Sequence, residues 1–341
     1  NGKDIKRVRG IWAKNTDGSI IKNQFAPLVD IDENPTDLDI GLFDDWRLYR
    51  PLGPRQWRML SVETHRGCPY PCGYCNSPAQ NKLFKAEGAG NFFRKKSPAK
   101  VREEILYYIK NYQVEFVFFW AGTFFAYIAE ECDAFGEMYS EFKLPFWCQT
   151  RAETVKVDPK RVKQLKDIGL YWISFGLEHG NEKFRAEVIN RRCSNDMMVE
   201  AFHHVEACGV PYTVNNIIGF PDETRALAFD TIELNRRFKS NSRSCSIFMP
   251  YKGTALYEYS LRKGYITNDL ICPSNNDRAI LNMSSMSRDE IMGISRTFSM
   301  YIDFPKSRWP DIARAEAQTP EGDRIWRSLR EEWISTFQPE A

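Results

Sequence analysis

Residues 58–75 read Arg-Met-Leu-Ser-Val-Glu-Thr-His-Arg-Gly-Cys-Pro-Tyr-Pro-Cys-Gly-Tyr-Cys. A short strand-like run, Arg58–Thr64, empties into a loop broken by Pro69, Pro71 and Gly73 that crowds Cys68, Cys72 and Cys75 together. The residues C-terminal to this stretch set the fold. Ser97 suits an N-cap and Pro98 a first helical position, and Val101, Ile105, Tyr108 and Tyr112 share one helical face. Val114–Trp120 is a continuous apolar run, as a strand buried on both faces requires. Ile128, Cys132, Phe135, Tyr139 and Phe142 then recur at helical spacing.

The alternation repeats. Strands are expected at 145–149, 171–175, 210–218 and 244–249. Helices are expected between them, one closed by Gly169, one opened by Ser194 and closed by Gly209, one marked by Leu227, Thr231, Leu234 and Phe238. Six strands alternating with helices predict an α/β fold with a parallel sheet, a partial (β/α)6 TIM-like barrel. Chemistry then belongs at the carboxyl ends of the strands, and the cysteine loop follows the first strand. Residues 1–56 read as a connector and 57–265 as the barrel. Residues 266–341 read as a partly helical C-terminal extension, with helices near 287–300 and 321–337.

Composition sets outer limits. The chain has 341 residues, 47 basic against 45 acidic side chains, 43% apolar and 27% charged residues, which excludes disorder. A net charge of +2 argues against a nucleic-acid partner. No apolar run reaches the roughly 18 residues of a membrane span, and no signal peptide is visible, so a cytoplasmic protein is expected. The chain opens on Asn1 rather than Met, as a piece of a longer protein would. Nine cysteines are a poor disulfide framework. The six isolated ones read as small core residues in a reducing cytosol.

The crowded three demand a metal. Three thiolates on one tight loop suit an iron–sulfur cluster, leaving one iron open for chemistry. A zinc ion completed by His65 is the alternative, and free thiols a further one. Elsewhere, His179 reads as a general base or a surface hydrogen-bonding group, and His203 and His204 as solvated helix residues. Lys82, Lys85, Arg94, Lys95 and Lys96, interleaved with Phe84, Phe92 and Phe93, read as a solvated loop or a grip for an anionic substrate or corrinoid phosphate. Cys148 and Cys245 fall on expected core strands.

The C-x3-C-x2-C spacing after the first strand, with Tyr74 before its third cysteine, resembles the radical S-adenosylmethionine (SAM) superfamily. Further motifs stand in the order that resemblance implies: Trp120-Ala-Gly-Thr123, Gln-Thr-Arg151-Ala, Gly176-Leu-Glu178-His-Gly, Gly219-Phe-Pro-Asp-Glu-Thr224 and Pro250-Tyr-Lys-Gly-Thr254. The set, together with the connector's Ile11-Trp12, Asp17-Gly18 and Asp30-Ile-Asp32 pattern, is similar to the branch with an upstream cobalamin-binding domain, absent from this chain. The resemblance implies that Cys68, Cys72 and Cys75 hold a 4Fe–4S cluster. It implies SAM contacts from Tyr74, Gly122, Thr123, Arg151, Glu178, Asn215, Ile217 and Gly219. Reductive cleavage of SAM to a 5′-deoxyadenosyl radical would follow, with cobalamin-dependent methylation of an unactivated carbon. A cobalamin-dependent cyclase or rearrangement enzyme is the alternative, and a non-catalytic zinc-binding module the alternative from another class. No catalytic acid or base is assigned. Implied partners are a small-molecule or natural-product substrate and a flavodoxin- or ferredoxin-type electron donor. The sequence departs from the family pattern at Gly122, where an acid is usual, at Asn215, where glycine is common, and at Lys252, where proline is.

Overall fold

Six strands carry the fold of the computed structural model, which describes residues 4–337. They are β1 (Arg55–Glu63), β2 (Phe116–Trp120), β3 (Phe146–Arg151), β4 (Leu170–Glu178), β5 (Tyr212–Ile218) and β6 (Ser242–Ile247). Sheet order follows chain order and every neighbouring pair is parallel. A short antiparallel strand, Tyr49–Leu52, borders β1 while β6 forms the far edge, so the sheet curls as a partial barrel without closing.

Parallel neighbours need crossovers, and helices supply them. After β1 come α1 (Asn76–Ala86) and α2 (Pro98–Tyr112), after β2 α3 (Ala129–Tyr139), after β3 α4 (Ala152–Val157) and α5 (Lys160–Asp167). After β4 come α6 (Glu182–Glu187) and α7 (Asn195–Ala207), and after β5 α8 (Arg225–Asn235). Then follow α9 (Ala255–Arg262), α10 (Arg288–Asp303), α11 (Trp309–Ala315) and α12 (Pro320–Phe337). Ser97 caps α2 by accepting from the Lys100 amide at 3.1 Å, with Pro98 in the first turn, as expected. Gly169 turns between α5 and β4 at φ 126°, where a Cβ would collide with the Leu144 carbonyl.

The two faces of the sheet bury different things. On the convex face Val117, Phe119, Phe146, Cys148, Phe175 and Val214 pack under the helices in one apolar core. Each such phenyl ring, fully buried, stabilises the fold by about 1.5–3 kcal/mol. On the concave face Met59, Phe116 and Phe118 form a smaller cluster with Trp57, Trp147 and Tyr171, filling the floor of the half-barrel. The upper concave face is left to polar residues, and the site lies there.

The N-terminal stretch drapes across α1 and α2. Asp32 accepts from the Ser97 amide at 3.0 Å, Leu28 donates to Ala89 at 2.7 Å, and the Phe25 and Phe84 rings lie 5.5 Å apart. Ile31 is fully buried, yet Trp12, Leu42, Phe43 and Trp46 remain exposed. The C-terminal helices α10 to α12 share a second apolar core with β5, β6 and α9.

The basic loop expected after the cysteines does not exist as such. Lys82 and Lys85 sit on α1. Lys96 is buried against Glu104 at 2.5 Å, Lys95 pairs with Glu131 at 2.5 Å, and Arg94 donates to the Val29 carbonyl. The aromatic residues between them stack instead, Phe84 on Phe92 with ring centres 5.5 Å apart. Carboxylates on α2 and α3 engage Lys96 and Lys95, while Lys82 and Lys85 stand exposed on α1, so the five cations do not form one loop.

Candidate active site

The cysteine loop leaves β1 at the carboxyl end of the sheet. Cys68 and Cys72 are buried, Cys75 is half-buried, and all three are unpaired thiols. They line one cavity of about 160 Å³ together with Tyr70, Tyr74, Gly122, Thr123, Gln149, Arg151, Ser174, Gly176, Glu178, Arg191 and Asn215. A second cavity of about 170 Å³ shares Tyr74, Glu178 and Asn215, and adds Ile217, Ser246, Tyr251 and Asn275. The candidate residues thus converge from five strand ends on one concavity. Gly219 is the exception: it lines neither cavity and lies beneath Ile291, whose Cγ2 a Cβ there would approach to 3.1 Å. A cavity of about 490 Å³ near the start of β6 contains none of these residues.

Close packing explains the departure at Gly122. A Cβ there would stand 3.1 Å from Cys68 Cβ and 3.2 Å from the Gly67 carbonyl, so a side chain at this position requires the cysteine loop to give by a few tenths of an ångström. Thr123 next to it is buried, with Oγ1 3.5 Å from Cys68 Sγ.

Arg151 and Glu178 do not pair directly; two residues that stand in none of the sequence motifs bridge them. Arg151 Nη2 donates to Glu153 Oε1 at 2.7 Å, and Glu153 takes two further bonds from Arg191, at 2.9 and 2.6 Å. Arg191 Nη1 donates to the Gly176 carbonyl at 2.7 Å and stands 3.8 Å from Glu178 Oε1. Burial pushes the Glu153 carboxyl up, but the charges of Arg191 and Arg151 outweigh it and hold the group well below the usual carboxylate range. For Glu178 burial prevails over Arg191, and the carboxyl is raised. Burial, with Glu178 alongside, pushes the Tyr74 phenol well above its ordinary value.

The network reaches the cysteine loop. Arg151 Nη1 lies 3.1 Å from Cys72 Sγ, and its guanidinium covers the Tyr70 ring at 3.9 Å. Its Nε is buried and has no partner. Glu178 adopts φ 70°, a left-handed conformation costly for a residue with a Cβ. The β4–β5 register slips there, and a Cβ on Gly176 would collide with the Glu178 carboxyl. Glycine two residues earlier is what lets that carboxyl fold back over the strand.

His179 is neither a base nor a surface group. It is wholly buried: Nδ1 accepts from the Asn181 amide at 3.1 Å, which leaves Nε2 to donate to Glu223 Oε1 at 3.1 Å. Glu223 Oε2 accepts in turn from the amides of Gly219 and Phe220. The pair ties the loop after β4 to the loop after β5. His203 is exposed, and His204 bonds the Pro159 carbonyl at 2.6 Å, as helix-surface residues. Cys148 is core on β3, and Cys245 lies on β6.

Three unpaired thiols beside a guanidinium suit a cationic cluster as donors. Burial pushes the Cys72 and Cys75 thiols up, Arg151 pulling Cys72 the other way, so their thiolates need a metal's charge. Among the described residues, no three His, Cys, Asp or Glu side chains are grouped to hold a single metal ion. Thiolates on one zinc stand only about 3.8 Å apart, whereas a cubane holds its cysteines further apart. His65 does not complete the set. It lies outside the cavity, bonded to Thr64 at 2.9 Å and packed 4.3 Å from the Tyr127 ring; burial, with Lys95 adding, pushes it down to about 3.

The radical SAM superfamily profile matches residues 62–234, more than half of the chain, and the chain belongs to that superfamily. It is similar to an uncharacterized methyltransferase of Pyrococcus horikoshii, 26% identical over 278 residues, covering 80% of this chain and 55% of that protein. The fold is similar to that of OxsB, a cobalamin-dependent S-adenosylmethionine radical enzyme solved with aqua-cobalamin and SAM bound. That likeness has a TM-score of 0.65 at 16% identity over 98% of this chain and 52% of the other. It is also similar to TsrM of Kitasatospora setae, a radical SAM methyltransferase solved with cobalamin and a 4Fe–4S cluster. There the TM-score is 0.58 at 14% identity, over 97% of this chain and 73% of the other. The chain spans about half the length of the curated relative and of OxsB. Among the described residues no helix is long and apolar enough to cross a membrane.

Proposed function

We propose that this chain is the catalytic barrel of a cobalamin-dependent radical SAM methyltransferase acting on an unactivated carbon of a small molecule. The observation that carries the proposal is one cavity lined by three thiols of a single loop and by the Arg151–Glu153–Arg191–Glu178 network. The methyltransferase name of the Pyrococcus relative and the cobalamin bound by OxsB and TsrM support the finer reading. Residues 1–56 then connect to an upstream cobalamin-binding domain, 57–265 are the barrel, and 266–341 an extension beside the substrate. A flavodoxin or ferredoxin supplies electrons in the cytoplasm, where thiols stay reduced.

When bound, the cluster supplies the electron that cleaves SAM, and the corrinoid supplies the methyl group. The chain's residues bind and orient. Cys68, Cys72 and Cys75 hold the cluster, leaving one iron unligated by protein. Arg151 donates to the SAM carboxylate; it is already fixed by Glu153, so little rotamer freedom is lost on binding. Gly122 and Thr123 present carbonyl and hydroxyl oxygens to the ammonium group. Glu178 receives the ribose hydroxyls, and Tyr74, Asn215 and Ile217 flank the adenine, with Gly219 shaping the turn behind them.

Anaerobic iron reconstitution followed by reduction with SAM tests the reading. A brown protein that forms 5′-deoxyadenosine or S-adenosylhomocysteine is the expected result. With cobalamin and methyl-labelled SAM, label in the product separates methylation from cyclisation. A colourless protein holding one zinc contradicts the proposal.

A further inference from the structure

The register of the sheet sorts the concave wall beneath the cysteine cavity into two chemistries. Neighbouring strands align Glu63 with Trp120, Gln149 with Ser174, and Thr213 with Ser174 and Ser242. One row below, Ser61 aligns with Phe118, Phe118 with Trp147, and Trp147 with Trp172. The aromatic rings of the wall therefore gather on β2, β3 and the start of β4 (Phe118, Trp120, Trp147 and Trp172), while the upper part of β4, β5 and β6 carry small hydroxyl and amide groups.

Most of the indoles here are committed. Trp57 donates to the Leu52 carbonyl at 3.0 Å, Trp147 to Ser174 at 2.9 Å and Trp172 to Thr213 at 2.9 Å. Trp120 differs. It is 54% exposed, its ring meets Phe118 edge-on at 5.8 Å, and among the described residues its indole N–H meets no acceptor. An exposed indole at the inner end of a strand otherwise filled by buried Phe116 and Phe118 is a stacking surface without an occupant. Trp120 does not itself line the cysteine cavity, but it follows Phe119, which aligns with Cys148, and so stands beside Gln149, which does line that cavity. The charged groups of the wall are engaged: Glu63 by Arg66 at 2.7 Å and Arg151 by Glu153 at 2.7 Å. What remains on offer is one aromatic face and neutral hydrogen-bonding groups.

We infer that the half-barrel binds an uncharged substrate carrying a planar aromatic or heteroaromatic ring with hydrogen-bonding substituents, the ring on Trp120 and the substituents toward Gln149 and the β4–β6 hydroxyls. This rests on the proposed function for its meaning as a substrate site; the binding itself does not.

The test uses the full chain, with indole-3-carboxamide and cyclohexanecarboxamide as probes in saturation-transfer NMR. They share the amide and differ in the ring. The planar probe is expected to bind at least about 10-fold more tightly. Trp120→Ala should remove that preference, Trp120→Phe should retain most of it, and Trp12→Ala, at an exposed indole on the strand Trp12–Lys14 that pairs only with Ile20–Lys22 outside the barrel sheet, should leave it unchanged. Equal binding of the two probes, or a preference that survives Trp120→Ala, overturns the inference. Cleavage of SAM by the reconstituted Trp120→Ala variant is expected to persist without substrate. If the ring preference depends on Trp120 while the wild type assembles no cluster, the subsite stands and the proposed function falls.

Discussion

Glu178 and His179 are neighbours in the chain at the end of β4, one half-buried at the cavity and the other wholly buried, and they belong to opposite kinds of polar cluster. On the His179 side the ring and its carboxylate are satisfied: Asn181, Glu223, Gly219 and Phe220 close these hydrogen bonds on themselves. On the Glu178 side the network of Arg191, Glu153 and Arg151 ends in an unpartnered Nε and a left-handed backbone, and it opens onto thiols. A polar cluster sealed between two loops braces the fold; one whose guanidinium and carboxylate line a cavity beside three thiols can meet a ligand. Side-chain reversal at the strand's end sends adjacent residues to opposite faces, and that alone separates the two roles.

The contrast breaks most visibly at the cysteines. Cys72→Ala should leave iron content near zero and abolish SAM cleavage, with circular dichroism and melting temperature unchanged, because the ligand sits on a loop. A melting temperature lowered by many degrees would mean that the cysteine loop is a brace as well.

Glu223→Ala should show the reverse pattern. It strands the His179 ring and two buried amides, at a cost on the order of 3 kcal/mol, read as a melting temperature lower by several degrees. Iron uptake by the folded fraction should persist. Full stability in this variant would refute the brace.

Glu153→Gln is the intermediate case. It should weaken SAM binding roughly 10-fold by loosening Arg151, and destabilise the fold by about 2 kcal/mol. The folded carboxyl lies below its ordinary 4.5, so its contribution is present above that pH and fades as pH falls toward the folded value. Melting curves of wild type and variant should therefore stay apart at neutral pH and converge below about pH 4.5. Curves separated by the same interval at all pH values would show that Glu153 is not ionised against the arginines.

The barrel was legible because its strands declare themselves. Phe116–Trp120 is apolar throughout, and Ser97, Ser194 and Gly169 mark helix ends by their own chemistry. The short helices α1 and α4 were not legible, since they begin at Cys75 and Arg151 with no side-chain cap, their N-terminal residues serving the site instead. Likewise Cys68, Cys72, Cys75, Arg151 and Glu178 stand in spaced motifs, whereas Glu153 and Arg191 do not. The latter pair comes together across 38 positions only when the start of α4 and the segment after α6 are brought side by side. A charge-balance argument at Arg151 had no way to choose Glu153 over Glu178 without that packing. His179 misled for the same reason: burial by Phe184 and Phe220, at 4.4 and 6.1 Å, is invisible from its place beside Glu178.

Electron paramagnetic resonance of the reconstituted, reduced chain, recorded with and without SAM, addresses the open iron most directly. About four irons per chain and a signal whose g-values shift when SAM is added are predicted, as an iron without a protein ligand allows. A cluster signal indifferent to SAM would mean that every corner is occupied by the protein, and the proposed chemistry would have no place to begin.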